Sequence, residues 1–88
     1  MIKDRALTNK DLFDFKNALL GSGYGTIKPC QKIFGMSRSS YYNIKKQPDL
    51  KLSPWFAAHL RVYMALPYID LIKLIKDAHG IDVTEVKR

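Results

Sequence analysis

The sequence predicts an all-α fold of five short helices, and three observations carry that expectation. Apolar residues recur three and four positions apart through most of the chain, the spacing that lines one face of a helix. Helix-capping residues, Thr8, Thr26, Ser37 and Ser53, stand just before those stretches. Glycine or proline closes each stretch, at Gly21, Gly35, Pro48, Pro67 and Gly80. With 88 residues the chain is one domain, 1–88, and 47% hydrophobic residues make it globular rather than disordered. A domain of this size is only marginally stable by itself.

Thr8 caps the first helix, with Asp11 at the third helical position as a weak capping box. Leu12, Phe13, Phe15 and Leu19 form its apolar side, with Asp14, Lys16 and Asn17 between them. Three glycines in the five residues from Gly21 to Gly25 end the helix in a loop. That loop is not a phosphate-binding P-loop, because no Gly-Lys-Ser/Thr follows and no strand precedes. Thr26 is expected to cap the second helix, whose first turn tolerates Pro29 and whose apolar side is Cys30, Ile33 and Phe34. A third helix runs from Ser37 to about Lys46, and Gln47 to Leu52 is a loop. Ser53-Pro54 starts the fourth helix, in which Phe56, Leu60, Tyr63 and Met64 make an apolar stripe. Pro67 opens the fifth. There Ile69, Leu71, Ile72, Leu74 and Ile75 are apolar, while Asp70, Lys73, Lys76 and Asp77 face water. Gly80 ends it, and Ile81 to Arg88 is either a short strand through Ile81, Val83 and Val86 or a tail.

The stretch from Cys30 to Lys46 holds a helix, a three-residue turn and a second helix. Gly35 permits the positive φ that a tight interhelical turn often needs. Met36 points back into the core, and Ser37 caps the next helix and turns its free backbone amides outward. Tyr41 and Ile44, three apart, share one face and are expected to pack on Phe34. Arg38, Ser39, Tyr42, Asn43 and Lys46 then share the solvent side. Arginine pairs bidentately with guanine and asparagine with adenine, so Arg38 and Asn43, with Ser39 and Tyr42 beside them, are candidate base readers. Lys28, Lys45, Lys46 and Lys51, with Thr26, Ser37 and the helix-start amides, are candidate contacts to the phosphate backbone. From Tyr24 to Leu52 there are six cations and one anion, so +5 of the total +7 falls on the helix-turn-helix at about 26–46 and its flanks.

The Phe34-Gly35-Met36-Ser37-Arg38-Ser39 run resembles the turn of the Cro/C1-type phage repressor family, and Tyr41 and Ile44 match that family's two buried positions in the recognition helix. The likeness covers about twenty residues, and more loosely the one helix before and two after. Gln31 departs from it, standing four residues before Gly35 where the family favours a small residue. The resemblance implies a compact repressor-like domain that binds double-stranded DNA and regulates, as a repressor, transcription of a phage, plasmid or similar operon.

One recognition helix offers limited contact area, so a homodimer on a palindromic operator is expected. The apolar surplus of the fifth helix, Leu71, Leu74 and Ile75, is the candidate dimerisation surface within about 67–88, with Ile81-Asp82-Val83 adding a strand pair across the two-fold axis. No nucleophile–base pair or paired carboxylates support catalysis, and no small-molecule substrate or cofactor is indicated. His59 and His79, with Cys30 far off, do not make a metal site. Cys30 reads as a small buried hydrophobe, and Trp55 as either core or a partner-facing anchor. A single cysteine, the lack of an apolar leader and the lack of a spanning run lead to the expectation of a cytoplasmic protein with no membrane partner. Two other readings stay open: an antitoxin- or antirepressor-like protein-interaction module on the same fold, and an RNA-binding helical protein.

Overall fold

A computed structural model describes residues 6–85. The described residues form five α-helices: α1 (Asn9–Leu20), α2 (Ile27–Phe34), α3 (Arg38–Lys46), α4 (Pro54–Ala65) and α5 (Tyr68–His79). They contain no strand, only an isolated bridge between Thr8 and Lys51. None of the helices is long and apolar enough to cross a membrane.

The capping chemistry works at the helix starts. The Thr8 amide donates to the Asp11 carboxylate at 2.8 Å, and Ser53 accepts from the Phe56 amide at 3.4 Å with Pro54 in the first turn. Thr26 departs from expectation. A 3-10 turn, Tyr24–Thr26, runs directly into α2, and Thr26 is fully buried. Its hydroxyl does not cap the helix but donates to the Gly23 carbonyl at 2.6 Å, closing the glycine-rich turn from inside.

The core draws on every helix. Leu12, Leu19 and Leu20 from α1 meet Cys30, Ile33 and Phe34 from α2, Tyr41 and Ile44 from α3, Leu60 and Tyr63 from α4, and Leu71 and Ile75 from α5. The short α2 is the hub and touches α3, α4 and α5. Phe15, Phe34 and Tyr63 form an aromatic triad with centroids 5.5–6.3 Å apart. The Tyr63 hydroxyl donates at 2.6 Å to the Ile33 carbonyl, one of the last-turn oxygens of α2 that the helix itself cannot satisfy. Phe34 therefore packs in the triad, while Tyr41 packs edge-on against Phe13 at 5.2 Å. Met64, expected in the apolar stripe of α4, is 39% exposed, and Ala57 packs against the core from α4 alongside Leu60 and Tyr63.

Lys16 is 2% exposed, because position 16 falls one turn after Leu12 and one before Leu19 and Leu20 on the inward face. Its stem fills core space, and the ammonium reaches the Asn17 side-chain oxygen at 3.3 Å. Burial holds its pKa below the ordinary lysine value.

The loop after α3 is strapped to the start of α1. Asn9 and Lys10 amides donate to the Leu50 and Pro48 carbonyls, the Leu52 amide donates to Leu7, and the Asn9 side chain donates to the Gln47 carbonyl, all at 2.8–3.0 Å. At the other end, Gly80 takes φ +68° and Asp82 accepts from the Thr84 amide and hydroxyl at 3.0 and 2.6 Å. A 3-10 turn, Val83–Glu85, then buries Val83 completely. Of the two expectations, strand or tail, the described part up to Glu85 forms no strand but a turn tucked into the core, and Val86 lies outside the described residues. Ile81 and Asp82, expected to pair across a two-fold axis, are irregular rather than extended as a strand.

Two of the three expected dimerisation residues belong to the core of the monomer. Leu71 is 4% exposed and Ile75 is fully buried, because α5 packs on α2 and on the terminal turn. Leu74, on the outer side, is 40% exposed.

Candidate nucleic-acid interface

Helices α2 and α3 are joined by Gly35, Met36 and Ser37. Gly35 adopts φ +65° and ψ +40°, the left-handed conformation that ends a helix at low cost only for glycine. The Met36 amide reaches back to the Gln31 carbonyl at 2.9 Å, and its side chain enters the core at 7% exposure. Ser37 accepts from the Ser40 amide at 3.1 Å and starts α3. These three residues fix the angle between the helices without any long-range polar contact.

Tyr41 and Ile44 anchor α3 from below, which fixes what faces outward. Arg38, Ser39, Asn43 and Lys46 are exposed, and Tyr42 is half-buried. All four expected base readers are therefore brought to one side of one helix. The Arg38 guanidinium lies 5.7 Å from the centre of the Tyr42 ring, and Tyr42 in turn meets the edge of Tyr41 at 5.2 Å. This stack ties a charged donor to a ring that is itself braced by the core.

The cations flank that helix. Lys28 stands on the exposed side of the first turn of α2, Lys45 and Lys46 on the last turn of α3, and Lys51 on the strapped loop. Asn43 and Lys51 line one shallow concavity with Ser40 and Ser53, so the loop lysine lies beside the exposed face of α3. Ser37 is exposed, with its oxygen committed to Ser40. Thr26, expected at the phosphate backbone, is not part of this surface: its hydroxyl is enclosed and bonded to Gly23.

Gln31, the departure from the repressor pattern, lines a concavity of about 410 Å³ with Lys28, Arg38 and Tyr42. One further residue escaped the sequence reading. Tyr24, read only as part of a loop, is 92% exposed and lines the same concavity. Its neighbours Gly23 and Gly25 masked it, since glycine around an aromatic reads as a turn before it reads as a display.

Cys30 is fully buried, and burial pushes its thiol up to about 12, so it carries no nucleophilic chemistry at neutral pH. Other exposed apolar residues lie on α4 and α5. Trp55 and Val62, one face of α4, are 64% and 56% exposed, and Trp55 packs its ring on His59 at 4.6 Å. Tyr68 and Ile69, at the start of α5, are 56% and 69% exposed. Compared with family models, curated proteins and solved structures, the chain matches none.

Proposed function

We propose that this protein is a sequence-specific double-stranded DNA-binding regulator, acting as a repressor in the cytoplasm, with α3 in the major groove. One observation carries the reading: Arg38, Ser39 and Asn43 stand exposed on one side of a helix whose other side, Tyr41 and Ile44, is anchored in the core. That is the chemistry and the rigidity that base-edge recognition needs. Lysines on both flanks supply the sequence-independent attraction to phosphates. The resemblance of the turn to Cro/C1-type repressors supports an operon of a phage, plasmid or similar element as the target.

Two copies on a palindromic site double the contact area. The face of α4 that carries Trp55 and Val62 is the surface for the second copy, in place of Leu71 and Ile75. The same face favours a second reading, an antitoxin- or antirepressor-like module that takes a different protein there.

Selection from a random-sequence duplex pool, followed by gel shift with salt titration, tests the proposal. The expected result is an enriched palindrome, bound with a steep salt dependence and more tightly than scrambled duplex. Failure to enrich any sequence overturns it. A stable complex with the product of a neighbouring gene, without duplex affinity, puts the second reading in its place.

A further inference from the structure

We infer that Tyr24 is a DNA-backbone contact, an aromatic ridge that packs on one deoxyribose between two phosphates; the inference rests on the duplex-binding reading above. Tyr24 leaves a large ring in solvent at 92% exposure, although the backbone beneath it is fixed. The fully buried Thr26 donates both its hydroxyl and its amide to the Gly23 carbonyl, at 2.6 and 3.1 Å, and the Ile27 amide closes on the Tyr24 carbonyl. Those bonds fix the backbone from which the Tyr24 ring projects.

The ring is a shared wall of two neighbouring concavities, of about 410 and 450 Å³. Lys28 and Gln31 line the first and Lys45 the second, with Tyr42 common to both and no carboxylate in either. An apolar ridge with a cation on each side matches a chain in which an apolar unit alternates with anions. The sugar–phosphate strand bordering the groove that α3 reads has that chemistry, and Tyr42 places the ridge beside the reading face. Lys28 and Lys45 take the phosphates on either side, and the Tyr24 ring covers the sugar between them.

The test uses the full chain and a duplex that the wild type has selected from a random-sequence pool. Tyr24→Ala is expected to bind about tenfold more weakly, the loss that about 1.4 kcal/mol of contact corresponds to. The loss is equal on selected and scrambled duplex, because sugar carries no sequence. The salt slope stays unchanged, because no phosphate contact is removed. Hydroxyl-radical cleavage returns at the deoxyribose that wild type protects, and Tyr24→Phe retains binding. Thermal melting of Tyr24→Ala matches wild type, as the exposure of the ring requires. Wild-type affinity in Tyr24→Ala overturns the inference alone and leaves the DNA reading standing. A loss of binding accompanied by a change in sedimentation overturns it too, since the ring would then be holding another protomer. A wild type without duplex affinity brings down both.

Discussion

Arg38 and Tyr42 are one turn apart on α3, and the ring beneath the guanidinium limits where that charge can go before any DNA arrives. A donor held in place loses less entropy on binding than a free one. Arg38→Ala should therefore cost roughly 1–3 kcal/mol of specific affinity while leaving the melting temperature alone. A gel shift on the selected duplex measures it, and unchanged affinity would show that α3 is not the reading helix. Cys30 sets a different kind of expectation. Its thiol, pushed up to about 12 by burial, stays protonated in the native protein while the unfolded chain ionises from about pH 9. The native state then binds more protons than the unfolded one, so stability is intact below pH 9 and falls as pH rises towards 12. The slope from this one group is about 1.4 kcal/mol per pH unit. Tyr41 and Tyr63, also raised by burial, add the same sign from higher pH, whereas the depressed Lys16 ammonium works the opposite way. Denaturant unfolding of wild type and Cys30→Ala at pH 7, 9 and 10, under reductant, should show the steeper fall in wild type only. Parallel slopes would dismiss the thiol as the cause.

Among the elements, the turn between α2 and α3 matters most, because it aims the proposed recognition helix. A Cβ built on Gly35 meets nothing within 4 Å, so space is not what glycine provides there. The cost of Gly35→Ala is the left-handed backbone itself, about 1–2 kcal/mol, and Gly35→Asn should cost less. Equilibrium unfolding of the two variants checks this, and a loss well above 3 kcal/mol would mean that the turn has rearranged. This element was legible in the sequence because a glycine, an apolar residue and a capping serine each have a single use at that spacing. Lys16 and Thr26 were less legible. Both are polar by type, yet the spacing from Leu12 to Leu19 places Lys16 inward, and a carbonyl two residues into the glycine-rich loop draws the Thr26 hydroxyl away from the helix it precedes. Composition names what a side chain can do, and only the packing around it decides which way it points.

The fold measures 31 × 26 × 18 Å, so on the proposed reading one copy would span about one turn of DNA and present one helix to it. Two recognition helices about 34 Å apart need a rigid link between protomers. The sequence showed a surplus of apolar residues but not its location. Periodicity in α5 cannot tell that Leu71 and Ile75 face α2 and the terminal turn, since those contacts come from other parts of the chain. Trp55 and Val62 on α4 are among the apolar residues that remain outside, with Tyr68, Ile69 and Leu74 on α5. Val62→Asp should give a folded monomer that binds a half-site weakly, against a wild-type dimer in sedimentation at micromolar concentration. A wild type that stays monomeric with and without the selected duplex would remove the second copy from the proposal.

The strap between the start of α1 and the loop after α3 has a consequence for cleavage. Lys46 and Lys51 bracket a four-residue, proline-containing stretch that trypsin would ordinarily find first. Yet its carbonyls at Gln47, Pro48 and Leu50 and its amide at Leu52 are all held by residues 7–10. A protease needs several residues of extended, unpaired backbone, so the scissile bonds become available only when the first turn of α1 peels away. The rate of nicking after Lys51 should therefore follow the fraying of α1, some forty residues upstream, and fall when Asp11 is left to hold Thr8 in place. Asp11→Ala, which loosens that first turn, should be cut faster at Lys51 although the loop itself is unaltered.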